Sequence, residues 1–195
     1  MARSLNSATA RPATLPDSRE WTFSSPARYA ATMFPEKLLG AARDILDEAR
    51  KRGLLLATAE SCTAGLISGC IAQIPGSSSV LERGFVTYSN EAKTELLDVP
   101  GALIAAHGAV SAEVARAMAE GALAHSRAAI AISCSGIAGP DGGSATKPVG
   151  LVHMAAVKRG GRLIQAERRF GDIGRTQVQL ATVAEAFVLL RQVMD

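Results

Sequence analysis

From Glu36 onward, segments with helical apolar spacing alternate with short uninterrupted apolar runs, and few architectures accommodate that order. "PEKLLGAARDILDEARKRG" puts Leu38, Leu39, Ala42, Ile45, Leu46 and Ala49 on one helical face, and Gly53 stops it. "LLLATA" reads as a buried strand, and "CTAGLISGCIAQI" as a helix ended by Pro75 and Gly76. "GFVTYS" is a second strand, followed by a short helix in "NEAKTELLDV". "SAEVARAMAEGALAHS" is an amphipathic helix with Ser111 as its N-cap, and "AAIAISCSG" a third strand. "GLVHMAAV" and "RLIQAERRF", joined across Arg159, Gly160 and Gly161, read as a hairpin. A last helix is expected over about 174–194. The pattern implies a three-layer α/β/α sandwich whose sheet is mixed, mostly parallel, with the hairpin supplying the antiparallel part.

Composition narrows the class further. The chain is 48% hydrophobic but only 4% aromatic, which suits close helix-on-sheet packing of small residues. The net charge of +3 comes from interspersed charges, with no basic arm and no basic–aromatic platform for nucleic acid. Three cysteines argue against a disulfide framework and fit a reducing compartment, so a cytoplasmic location is expected. No run approaches the roughly 20 apolar residues that span a bilayer, so no membrane association is expected. Residues 1–32 are Ser-, Arg- and Pro-rich without periodicity. They read as a disordered or non-native extension, compositionally like a transit peptide, before a single domain over 33–195.

Three loops carry chemistry. "TAESCTAG" leaves the first strand with nucleophilic atoms at a strand-to-helix turn, where α/β sites gather. Ser61 is a candidate nucleophile there, with the N–H groups of Cys62, Thr63 and Ala64 as candidate oxyanion donors. Equally, Ser61 is a helix N-cap, and Cys62 a small packing residue. The three histidines are poorly placed to act as its base: His107 in a loop, His125 at a helix end, His153 within a strand. A buried lysine is the other type of base, and "TYSNEAK" brings Tyr88 and Lys93 beside Ser61 if the first two strands are neighbours. The alternative for Lys93 is a solvated residue paired with Glu95 or Asp98. The third loop, "SGIAGPDGGSATKPVG", matches no phosphate-loop pattern but reads as an ordered ligand loop.

Together, "TAESCTAG", "PGSSSVLERGFVTYSNEAKTELLDV", "HGAVSAEVARAMAEGAL" and "SGIAGPDGGSATKPVGLV" resemble the CinA C-terminal-domain family over about 36–190. The enzymatic members of that family are nicotinamide-nucleotide amidases, which convert nicotinamide mononucleotide (NMN) to nicotinate mononucleotide and ammonia. The resemblance implies a metal-free, cofactor-free Ser-Lys hydrolase with Ser61, Tyr88 and Lys93 as its catalytic residues. It further implies a nucleotide site drawn from Cys62, Thr63, Ala64, Gly65, Asn90, Gly136, Gly139, Gly142, Gly143, Lys147 and Arg175, and a homo-oligomer. The alternatives are a non-catalytic nucleotide-binding or regulatory module, and an amidase for non-nucleotide amides. Two departures from the family pattern stand out: Ala64 replaces a glycine, and Gln179 falls where a second arginine is common. The family's frequent N-terminal partner domain has no counterpart in 195 residues, so the stand-alone form is expected.

Overall fold

The computed structural model describes residues 33–195, so the reading of residues 1–32 lies outside the described residues. Five strands form one sheet in the order β2-β1-β3-β4-β5: β1 Leu56–Glu60, β2 Leu81–Val86, β3 Ile130–Gly136, β4 Leu151–Lys158 and β5 Leu163–Arg169. β2, β1 and β3 run parallel, while β4 is antiparallel to both β3 and β5. The mixed sheet and its hairpin are therefore as the sequence indicates. The helices are α1 Glu36–Lys51, α2 Leu66–Ala72, α3 Asn90–Leu97, α4 Gly101–His107, α5 Ala112–Ala124 and α6 Arg175–Met194.

Residue parity along the strands divides the core in two. Leu56, Ile130, Ile132, Cys134, Val152, Met154 and Ala156 face α1, α2 and α6. Ala57, Ala59, Ala131, Ala155 and Val157 face the other way, onto α5 and its neighbours. That second face is almost wholly alanine, and α5 answers it with Ala115, Ala119 and Ala122, so helix and sheet approach closely. This is where the alanine content and aromatic poverty are used.

Two readings are corrected. "GALIAAH" is the short helix α4, introduced by Pro100, so His107 ends a helix rather than lying in a loop. The second strand ends at Val86, leaving Thr87, Tyr88 and Ser89 as the turn into α3. Ser111 does cap α5, accepting from the Val114 N–H at 3.3 Å.

After β1 the chain crosses to β2 on one side and then returns past β1 to β3 on the other. The carboxyl ends of β1 and β3 are thus the topological switch point, where a crevice opens between diverging loops.

Gly121 of α5 sits where that helix meets the end of α3. A Cβ there would stand 2.1 Å from the Leu97 carbonyl oxygen, a backbone atom that cannot rotate aside. Gly121→Ala is therefore expected to destabilise the fold by about 1–3 kcal/mol despite alanine's better helix propensity. Urea unfolding checks this, and an unchanged or raised midpoint would contradict the close contact.

Candidate active site

The turn at 61–65 is built by a residue that the sequence reading passed over. Glu60 ends β1 with no exposed surface, and its carboxylate accepts five hydrogen bonds. Oε1 takes Thr58 Oγ1 at 2.9 Å and the Ser68 N–H at 2.8 Å. Oε2 takes Thr63 Oγ1 at 2.7 Å and the N–H groups of Gly65 and Ile67 at 3.1 and 2.9 Å. Three of the five donors are amides at the start of α2, groups that no helix can satisfy internally. Glu60 thus performs the capping for which Ser61 was a candidate, and the helix begins at Leu66, five residues beyond Ser61. The available signal was an acid closing the otherwise apolar run "LLLATA".

Relieved of the cap, Ser61 points its hydroxyl at Lys93. Lys93 Nζ lies 3.2 Å from Ser61 Oγ, 2.9 Å from the Thr87 carbonyl oxygen and 3.4 Å from that of Ser89. Lys93 is 1% exposed, so it is not the solvated partner of Glu95 or Asp98. Burial holds its pKa below the ordinary lysine value, against a smaller opposing pull from Cys134, Cys62 and Glu91. A neutral amine has two N–H bonds and one lone pair. With the N–H bonds on Thr87 O and Ser89 O, the lone pair is left for the Ser61 hydroxyl proton.

Cys62, beside the nucleophile candidate, is chemically quieter. Its thiol donates to Cys134 and is buried, and both raise its pKa well above the ordinary thiol value. Cys134 Sγ also lies 3.1 Å from Thr63 Oγ1.

A cavity of about 280 Å³ opens in front of Ser61. Of the residues singled out from sequence, Ser61, Cys62, Tyr88, Asn90, Lys93, Gly136, Gly139, Gly142 and Arg175 line it. Thr63, Ala64, Gly65, Gly143 and Lys147 lie outside that lining. Thr63 and Gly65 are spent on Glu60. The Ala64 N–H, a candidate oxyanion donor, is taken by Ser61 O at 3.1 Å. Ala64 is exposed with φ 52°, so its methyl faces outward. This departure from the family's glycine costs about 1–2 kcal/mol of backbone strain rather than cavity space. Lys147 Nζ donates to the carbonyls of His107 and Val110 at 2.7 and 2.8 Å, pinning the glycine-rich loop to the α4–α5 connection.

Tyr88 is 56% exposed, and its hydroxyl accepts from Arg175 Nη2 at 2.7 Å, not from Lys93. Arg175 Nη1 donates to Gly139 O at 3.0 Å, so one guanidinium ties two loops to the start of α6 at the cavity mouth. Gln179, one turn along α6, donates to Cys62 O at 2.8 Å, a contact without a sequence signal. The histidines lie elsewhere: His107 at 3.4 Å from Glu113, His125 at 2.7 Å from Asp98 and His153 at 3.9 Å from Glu167. No group of metal-ligating side chains occurs among the described residues. A wider groove of about 530 Å³ between α3 and α4 carries no such chemistry.

A family model described as the CinA C-terminal domain matches residues 39–194. A CinA-like protein of Geobacter sulfurreducens is 49% identical over 143 residues, 73% of this chain and 34% of that protein. One of Citrifermentans bemidjiense is 50% identical over the same length and shares. The chain thus spans about a third of the length of these curated relatives. Among solved structures, the competence/damage inducible protein CihA of Agrobacterium tumefaciens superposes with a TM-score of 0.83 at 49% identity, covering 84% of this chain and 99% of that one. A competence damage-inducible protein of Klebsiella pneumoniae gives 0.76 at 32% identity, covering 80% and 95%.

Glu60→Gln tests the capping role. The new NH2 group would face either the Ser68 N–H or those of Gly65 and Ile67, leaving at least one buried amide unsatisfied. The expected loss is about 2–4 kcal/mol in urea unfolding. A loss below about 0.5 kcal/mol would show that the turn does not depend on this carboxylate.

Proposed function

The chain belongs to the CinA C-terminal domain family, and from that membership and its site we propose that it is an amidohydrolase that deamidates nicotinamide mononucleotide. The observation that carries the reading is the 3.2 Å approach of Lys93 Nζ to Ser61 Oγ, with both groups buried and both on the cavity wall. A serine with no histidine nearby needs another base, and a lysine held toward its neutral form supplies one.

In this reading Ser61 Oγ attacks the pyridine carboxamide carbon as its proton passes to Lys93 Nζ. The tetrahedral oxyanion is held by the Cys62 N–H, the candidate donor whose residue lines the cavity, worth roughly 3–4 kcal/mol for a strong donor. The protonated Lys93 gives its proton to the departing ammonia, leaving an acyl ester on Ser61. Lys93 then takes a proton from water as it attacks the ester, and returns that proton to Ser61 Oγ as nicotinate mononucleotide leaves. The carbonyls of Thr87 and Ser89, rather than Tyr88, fix the Lys93 amine. Tyr88 and Arg175 frame the mouth, and Arg175 is the cation best placed to meet a ligand phosphate. We further propose a cytoplasmic homo-oligomer. Among the described residues no helix is long and apolar enough to cross a membrane.

Ammonia release from NMN, compared with free nicotinamide, tests the assignment. Turnover of both alike would favour a general amidase, and binding of NMN without turnover a regulatory module. Ser61→Ala is expected to reduce turnover to background while the protein stays folded. Activity retained above a few per cent would remove Ser61 as nucleophile.

The pH profile tests the base. Because burial lowers the Lys93 pKa, kcat/KM should rise with pH and reach half its plateau below the ordinary lysine value of ~10.4. Activity is lost as pH falls through that lowered value, since an ammonium cannot accept the serine proton. Lys93→Arg keeps a cation that stays protonated and should lose at least ~10²-fold in kcat. Substantial activity in this variant would place the base elsewhere.

A further inference from the structure

Arg175 and Gln179 stand four residues apart on α6, so their side chains leave the same face of the helix on successive turns. Arg175 reaches across the cavity mouth, but Gln179 turns to the nucleophile loop, where its Nε2 donates to Cys62 O at 2.8 Å. That oxygen belongs to the peptide unit joining Cys62 to Thr63, directly after Ser61. In a planar trans peptide the C=O and N–H point in opposite directions. A bond that fixes Cys62 O from α6 therefore fixes the plane of the peptide after Cys62, and with it the turn on which Ser61 and Cys62 face the cavity. The Thr63 side chain is held independently, through Oγ1 on Glu60 Oε2 at 2.7 Å. The residue is thus clamped on both sides, by a carboxylate beneath and an amide from α6.

We propose that Gln179 is a positioning residue. By holding Cys62 O it fixes the turn after Ser61, so that the Cys62 N–H on the cavity wall is held for the oxyanion formed when Ser61 attacks. Gln179 touches neither substrate nor reacting atoms and acts through one peptide plane. The inference rests on the amidase reading. It gives the second departure from the family pattern a role within this chain: position 179 clamps backbone rather than offering a cation to the ligand.

The test uses the full chain with Gln179→Leu and Gln179→Glu. The first lacks a hydrogen-bonding head, and the second, when ionised, has no N–H to give. Three quantities are measured: kcat and KM for NMN, the urea midpoint, and the rate at which a fluorophosphonate modifies Ser61, followed by intact mass. The fluorophosphonate needs the activated serine and the oxyanion donor but no nucleotide contact. Both variants are expected to lose about ten- to a hundredfold in kcat and in phosphonylation rate alike. KM should stay within about twofold, which marks a contribution made in the transition state. An unchanged kcat, a rise in KM alone, or a fall in kcat without a fall in phosphonylation would each overturn the proposal. If the wild type is phosphonylated at Ser61 but releases no ammonia from NMN, the substrate reading fails. The phosphonylation rates of the variants then still decide the role of Gln179. A wild type whose Ser61 resists the reagent overturns both.

Discussion

The site depends on one buried carboxylate. Glu60 lies at the end of β1 and takes the amides that α2 cannot satisfy, together with two threonine hydroxyls. In most strand-to-helix turns a serine or threonine does this work with its own side chain. Here the preceding residue does it, and the consequence is chemical rather than architectural. Ser61 has no structural hydrogen bond to make with its hydroxyl, so that group is available to Lys93. The helix start and Ser61 are separated by five residues because the cap reaches forward along the chain.

Packing then brings the other parts to that point. The parallel trio β2-β1-β3 aligns its carboxyl ends, so the turns after β1 and β2 are neighbours and the loop after β3 faces them. The alanine face under α5 draws α3 to α5 tightly enough that only glycine fits at position 121. α3 in turn carries Lys93 inward, to the carbonyls of Thr87 and Ser89. From the opposite layer the start of α6 reaches over with Arg175 and Gln179. Elements distant in sequence therefore share one small volume, and Lys93, Arg175 and Gln179 are each anchored there on a backbone carbonyl rather than in an exposed ion pair.

The fold was legible because periodicity is a local property. Strand β1, the hairpin and the long helices α1, α5 and α6 all declare themselves within ten to twenty residues. The seven-residue α4 did not, since so short an apolar stretch after Pro100 carries no period. Within the site, adjacency of β1 and β2 made the pairing of Ser61 with Lys93 possible, and the family resemblance is what implied it. The division of labour around them did not follow. Whether a serine caps a helix or stands free depends on whether a competing acceptor exists, and Glu60 was hidden by reading its strand as apolar. Lys147 and Tyr88 were legible as residue types, but their partners, at His107, Val110 and Arg175, are tertiary. Gln179 was visible as a departure, but its acceptor is a backbone oxygen, which no residue identity reveals.

The buried amine of Lys93 also links reactivity to folding. Its pKa is lower in the folded chain than in the unfolded one, so between the two values the unfolded chain holds more protons. Stability therefore rises with pH across that window and is lowest below the folded value, where the fold must bury an ammonium. The neutral form that the fold prefers is the same form that can accept a proton from Ser61. Active sites are often assembled against the stability of the proteins that carry them. At this residue, alkaline conditions that leave the amine neutral and able to accept a proton also relieve the protein of an internal charge, so the two demands pull in one direction.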